Sequence, residues 1–426
     1  MKLLKTYIMP LFLLALTTSN AFAGDDALDS GDTAWMLTST VLVLMMCLPG
    51  LALFYGGLVR AKNVLSIFVQ CFALAGVMSI LWVAFGYAVA AGGGGNAYFG
   101  WDQSLLFLNH ITEDTLSGTI PESVWVTFQM TFIIISPAII VGAFAERMKF
   151  SAILIFTVVW TILSYLPMWH MAWGGGLFHH WGAIDFAGGN VVHINAGVAG
   201  LVACIFLGKR KGYPGPALVP HNVPYVLVGA ALLWVGWFGF NAGSAGGASG
   251  SAGMAMLTTQ VATAAAIVVW MVLEWVIAKK PTAVGVATGA VAGLVAITPA
   301  AGSAGVGGAM VIGAISSLLC YLAVTKLKHA FNYDDSLDVF GVHGVGGIVG
   351  AILTGWFIRG EDGGSIAQVI IQAKSVGVTI VWSAAAALIG LYAAKILCGG
   401  IRVEEDTEHG GLDRDEHGEE AYNWEA

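Results

Sequence analysis

Charge is what this chain has least of. Asp, Glu, Lys and Arg make up 10% of its 426 residues, against about 25% in soluble domains. With 57% hydrophobic residues and a mean hydropathy of +0.80, too few polar side chains remain to cover a water-soluble globule. The same scarcity excludes a disordered chain, and the few scattered bases exclude a nucleic-acid binder. Cysteine is sparse too. Cys47, Cys71, Cys204, Cys320 and Cys398 lie in or beside apolar segments, with neither disulfide nor metal spacing. No His-Glu-x-x-His pattern occurs, and no nucleophile stands beside a base, so neither an enzyme nor a bound cofactor is expected.

What is present is apolar length. A membrane-crossing helix needs roughly 20 apolar residues, and segments of that kind fall at about 33–59, 64–91, 124–144, 151–172, 186–207, 225–242, 253–277, 282–299, 307–325, 339–358 and 369–399. The expected fold is therefore an all-α polytopic membrane protein of eleven transmembrane helices. The 57 glycines suit close helix packing in lipid.

Residues 1–23 predict a signal peptide. Lys2 and Lys5 precede a short apolar stretch, and Ala21-Phe22-Ala23 gives a small-x-small cleavage pattern. The membrane body then runs over 24–400 and a tail over 401–426. The tail holds ten acids and two bases from Arg402 onward, which is the whole net charge of −8; by composition it reads as solvated and partly disordered. Basic residues fall in alternate loops: Arg60 and Lys62, Arg147 and Lys149, Lys209 to Lys211, Lys279 and Lys280, Lys326 and Lys328. Only Arg359 and Lys374 lie on the other side. The positive-inside rule puts the N-terminus outside and the acidic tail in the cytoplasm.

Two polar intrusions break the apolar body. Asp185 precedes His193 at the start of the fifth span, and Asp338 precedes His343 at the start of the tenth. One span enters from outside and the other from inside, so the histidines approach the mid-membrane from opposite faces. That predicts an inverted pseudo-twofold repeat of helices 1–5 and 6–10, plus an eleventh helix, with a site where the repeats meet. A single histidine on an apolar face is usually a satisfied core residue. Two in matching positions of two halves point to function, because ionisable groups are costly inside a membrane. Asp185 and Asp338 suit structural capping of helix starts, with direct contact to a cation as the alternative.

At these residues the chain resembles the Amt/Rh/MEP ammonium transporter family, and within it the bacterial Amt branch. The resemblance is carried by Asp185-Phe-Ala-Gly-Gly through Gly208-Lys209-Arg210, with Phe54-Tyr55-Gly56-Gly57, Gly142 to Arg147, Trp237 to Ser244 and Phe340-Gly341-Val342-His343-Gly344. It implies a homotrimer with one pore per subunit. It implies an outer ammonium recruitment site at Phe132, Trp173 and Ser244, a gate of stacked Phe132 and Phe240, and a pore lined by His193 and His343 that relays the proton. It also implies regulation by a PII-type signalling protein at the cytoplasmic tail, in a bacterial inner membrane. Asn190 stands where relatives often have Thr; hydrogen-bonding capacity is kept. The rival readings are a neutral ammonia or carbon dioxide channel and an ammonium sensor. Trp173 with Ser244 favours the Amt reading over a neutral gas channel.

Overall fold

The computed structural model describes residues 27–215, 218–360 and 363–422; the expected signal peptide lies outside them. Among the described residues ten helices are long and apolar enough to cross a membrane, and a shorter apolar helix completes the set. They are α1 (Ser30–Leu58), α2 (Ala61–Ala91), α3 (Glu122–Phe144), α4 (Phe150–Trp181), α5 (Gly189–Leu207), α6 (Val223–Gly243), α7 (Gly250–Ala278), α8 (Ala283–Ile297), α9 (Val306–Phe331), α10 (Phe340–Phe357) and α11 (Ile366–Leu397). Each matches one expected span. Only α8 is short, and its apolar course continues through the turns at 298–304.

Short polar residues set where several helices begin. The side chains of Asp29, Asn222, Ser249, Thr282 and Ser365 each accept a hydrogen bond from a backbone N–H in the first turn of the helix that follows, satisfying a donor that has no partner within the helix. On the outside of the helix bundle, α7 and α11 expose Val268, Val272, Ile370, Val381 and Ile389. α11 packs along α4, α5 and α10.

The two halves repeat residue for residue at their centre. α5 and α10 both open with a π-helical turn, at Gly189–Ile194 and Phe340–Gly344, and each turn carries the histidine. Four residues beyond each histidine stands a glycine pressed on the other helix. A Cβ on Gly197 would lie 2.3 Å from the Gly344 nitrogen, and one on Gly347 would lie 2.9 Å from Ile194 Cγ1. The helices thus cross at hydrogen-for-side-chain contacts that only glycine permits.

Two features mark the face bearing the basic loops. Arg147 and Arg210 are buried. Arg210 reaches Asp334 and Glu146 at 2.8 Å each, and Glu146 also accepts from Arg60 and Asn63. Burial pushes the Glu146 carboxyl up, but Arg210 and Arg60 together hold it below its ordinary value. Second, the acidic tail is folded rather than solvated. Helices α12 (Glu405–Gly410) and α13 (Leu412–His417) dock on this face with Glu408, Leu412 and Asp413 buried. Glu408 takes two hydrogen bonds from Arg402 Nη2, another from Arg402 Nε and one from the Lys211 amide. Asp413 takes the amides of Leu65 and Ser66. Partners from distant loops are what turn these acids inward.

Candidate functional site

The π-helical turns bring His193 and His343 together. Their Nδ1 atoms are 3.2 Å apart, so one ring donates and the other accepts. Both are buried. His193 stacks on Trp237, with ring centroids 5.3 Å apart and planes at 20°, and the Trp237 indole is fixed by donating to Thr298 Oγ1 at 2.9 Å. His193 Nε2 is buried and has no partner. An unpaired buried ring nitrogen is costly, and His193 is among the residues that line a narrow cavity of about 10 Å³, the size of one water-scale molecule. Met46, Ile139, Leu233 and Phe240 line that cavity along with both histidines, so apart from the imidazoles its wall is apolar.

On the side of α5's start, the cavity ends at two stacked rings. Phe132 of α3 and Phe240 of α6 lie 4.2 Å apart at 18°, and both are fully buried. Trp173 stands edge-on to Phe132, with centroids 6.2 Å apart, and is partly exposed. Ser244 follows one turn after Phe240 and donates its hydroxyl to the Phe240 carbonyl at 2.8 Å. The hydroxyl proton is thereby committed, and the oxygen's lone pairs are left to accept. Phe132 and Trp173 are thus in ring contact, and Ser244 lies one turn beyond Phe240.

Asp185 ties the aromatic end to the histidine helix. Its carboxylate accepts from the amides of Gly188, Gly189, Asn190 and Val191 at 2.5–3.3 Å. Those four bonds use the acceptor sites of both oxygens, so the geometry is that of a cap, not of a cation ligand. Its backbone carbonyl accepts the Trp173 indole at 2.7 Å. One residue therefore positions both Trp173 and the turn that carries His193.

Asp338 is not its counterpart. That place belongs to Asp335, which accepts the amides of Val339 and Phe340 at 3.0 and 2.7 Å. Asp335 precedes His343 by the same eight residues that separate Asp185 from His193. Asp338 instead takes a left-handed backbone, with φ 61°, and pairs with Lys328. Both line a second cavity of about 430 Å³ on the far side of His343. The equal spacing was available in the sequence; three acids within five residues, Asp334, Asp335 and Asp338, obscured it. Trp237 was visible only as part of a motif, since its stacking on His193 needs the tertiary fold.

The model of the Ammonium Transporter Family matches residues 34–422. The ammonium transporter of Aquifex aeolicus is 46% identical, covering 96% of this chain and 98% of its own. That of Bacillus subtilis is 45% identical over 92% and 98%. The crystal structure of Mep2 from Candida albicans superposes with a TM-score of 0.81 at 31% identity, covering 89% of this chain and 87% of that one.

Proposed function

The chain belongs to the ammonium transporter family, a multi-pass membrane protein that transports ammonium, and on that premise we propose how its residues divide the work. Trp173, Phe132 and Ser244 recruit the ammonium ion from outside the cell. An aromatic face attracts a compact cation, and the Ser244 oxygen accepts one of its four N–H bonds. Potassium has no such donors. Phe132 and Phe240 then close the path below the ion.

A bare cation in the apolar segment beyond the gate is costly. Desolvation disfavours the charged amine, so the ion gives its proton to His193 Nε2, the Nδ1 proton of His193 passes to His343 Nδ1, the Nε2 proton of His343 leaves on the far side, and ammonia enters. The observation that carries this reading is the unpartnered Nε2 of His193, a residue that lines the narrow cavity. It offers ammonia a hydrogen bond where the walls offer none. The Nδ1–Nδ1 contact joins the rings into a chain along which a proton can move. Asp185 and Asp335 hold the two histidine turns in place. In this reading the basic face and tail are cytoplasmic, the subunits form a trimer, and a PII-type protein docks at the tail face.

Trp173→Leu tests the recruitment step. It removes the best cation-attracting ring while keeping bulk. The half-saturating ammonium concentration for uptake is expected to rise about tenfold, with folding and oligomer size unchanged. An unchanged half-saturation would remove Trp173 from the site.

A further inference from the structure

Phe132, Trp173 and Ser244 belong to three helices whose spacing must be kept, and an acid that the proposed transport steps do not use ties two of these helices together. Ser244 closes α6, and the chain turns through 245–249 before α7 begins. Inside that turn the Ala245 and Gly246 amides donate locally, to the Ala242 and Gly243 carbonyls. Among the described residues, the one hydrogen bond that ties 245–248 to another helix goes to Asp32 of α1, whose Oδ1 accepts the Ala248 amide at 2.7 Å. Gly247 is buried against the same carboxylate, and a Cβ there would lie 2.6 Å from Asp32 Cγ. The other oxygen, Oδ2, accepts the Thr119 hydroxyl at 2.5 Å, and the Asp29 amide donates to the Thr119 carbonyl at 2.8 Å. Thr119 stands three residues before α3, the helix of Phe132. Trp35 shares the face of α1 with Asp32, and its indole donates to the Ala242 carbonyl at 3.3 Å.

We propose that Asp32 is a positioning residue of the recruitment site. Its carboxylate clamps the turn after Ser244 to the entry of α3, and so sets where the Ser244 oxygen stands relative to the Phe132 and Trp173 rings. The proposal rests on the recruitment reading above. Ser244 commits its hydroxyl proton to the Phe240 carbonyl, so its lone pairs meet an ammonium N–H only where the end of α6 is held in place. Deeper in the membrane α6 is fixed by close packing: a Cβ on Gly239 or Gly243 would lie 2.7 Å from the Cβ of Leu42 or Ser39. That packing stops at Gly243, and beyond it Asp32 takes over with hydrogen bonds to a charged acceptor, the stronger kind.

Ammonium uptake by the full-length protein in proteoliposomes, read as half-saturating concentration and maximal rate, tests this in a double-variant cycle. Asp32→Ala is expected to raise the half-saturating concentration about fivefold, the worth of about one hydrogen bond, with the maximal rate unchanged. Ser244→Ala raises it by a similar factor, and Asp32→Ala adds nothing further in that background. Asp32→Asn keeps an acceptor for the Ala248 amide and a donor for Thr119, and stays near the wild type. Gly247→Ala pushes the carboxylate away from the side of the turn, and it gives the same rise where Asp32→Ala folds poorly. Independent, multiplying effects of Asp32→Ala and Ser244→Ala overturn the proposal. So does an Asp32→Asn as weak as Asp32→Ala, which would make the charge and not the clamp the cause. An unchanged half-saturation in Ser244→Ala removes the recruitment reading itself, and the proposal with it.

Discussion

Asp185 and Asp335 do the same local work in different settings. Asp185 faces four amides, and a carboxylate so surrounded compensates a helix start fully. Asp335 accepts only two. Burial and the neighbouring Asp338 push its carboxyl up to about 6, although Lys328 opposes them. A carboxyl raised in the folded state stabilises the fold below its unfolded value near 3.8 and loses that contribution as pH rises toward 6. Thermal unfolding of the wild type and Asp335→Asn should therefore diverge in slope between about pH 4 and 6. The wild type gains stability on acidification in that window and the variant lacks the gain. Parallel curves would contradict the assignment. The histidines and Asp185 were legible in the sequence because polar groups are rare there and stand out; Phe132 and Phe240 came only from the family resemblance. Asp335 was hidden by two acidic neighbours, which only the backbone path distinguishes.

At the scale of elements, the eleven helices were readable because each must bridge the same thickness of hydrocarbon, and length with apolarity records that directly. The π-helical turns at the two histidines were not readable. The widened turn at His193 is held by bonds that sequence alone does not show: Asn195 of α5 itself donates to the Val191 carbonyl at 3.1 Å, and Ser383 of α11 donates to the Asn195 carbonyl at 2.7 Å. The α5–α10 crossing has an equally non-local cause. Gly197→Ala would place a methyl 2.3–2.4 Å from Gly344 backbone atoms, where neither side can yield. Such overpacking costs about 1–3 kcal/mol, and here it also spreads the two rings. The expected result is a lower unfolding temperature together with slower uptake. Gly76→Ala on α2, whose Cβ meets open space, serves as the control: uptake should be unchanged and the unfolding temperature should not fall. A fully stable, active Gly197→Ala would show that the crossing does not set the histidine contact.

For the whole molecule, composition separated a neutral membrane body from an acidic tail, yet misjudged what the tail does. Ten acids look solvated until Arg402, Lys211 and the start of α2 are folded beneath them. Glu408→Ala leaves Arg402 short of its carboxylate, at a cost of about 2 kcal/mol for hydrogen bonds to a charged group. Because the loss falls on the docked segment and not on the helix bundle, limited proteolysis should cut the tail sooner while the membrane body resists as before. Unchanged cleavage would mean that other contacts hold the tail. The inverted repeat, by contrast, was legible from an acid and a histidine at the start of two spans that enter from opposite sides, and in the reading proposed above it places a proton path at the centre of the molecule. The most direct test of that path is ammonium-evoked current in proteoliposomes on a supported membrane, for the wild type and for His193→Ala/His343→Ala, with potassium as control. The account predicts current with ammonium, none with potassium, and none in the double variant. Fast ammonia-driven alkalinisation of the vesicles without current in the wild type would contradict it, and would make the pore a neutral gas channel.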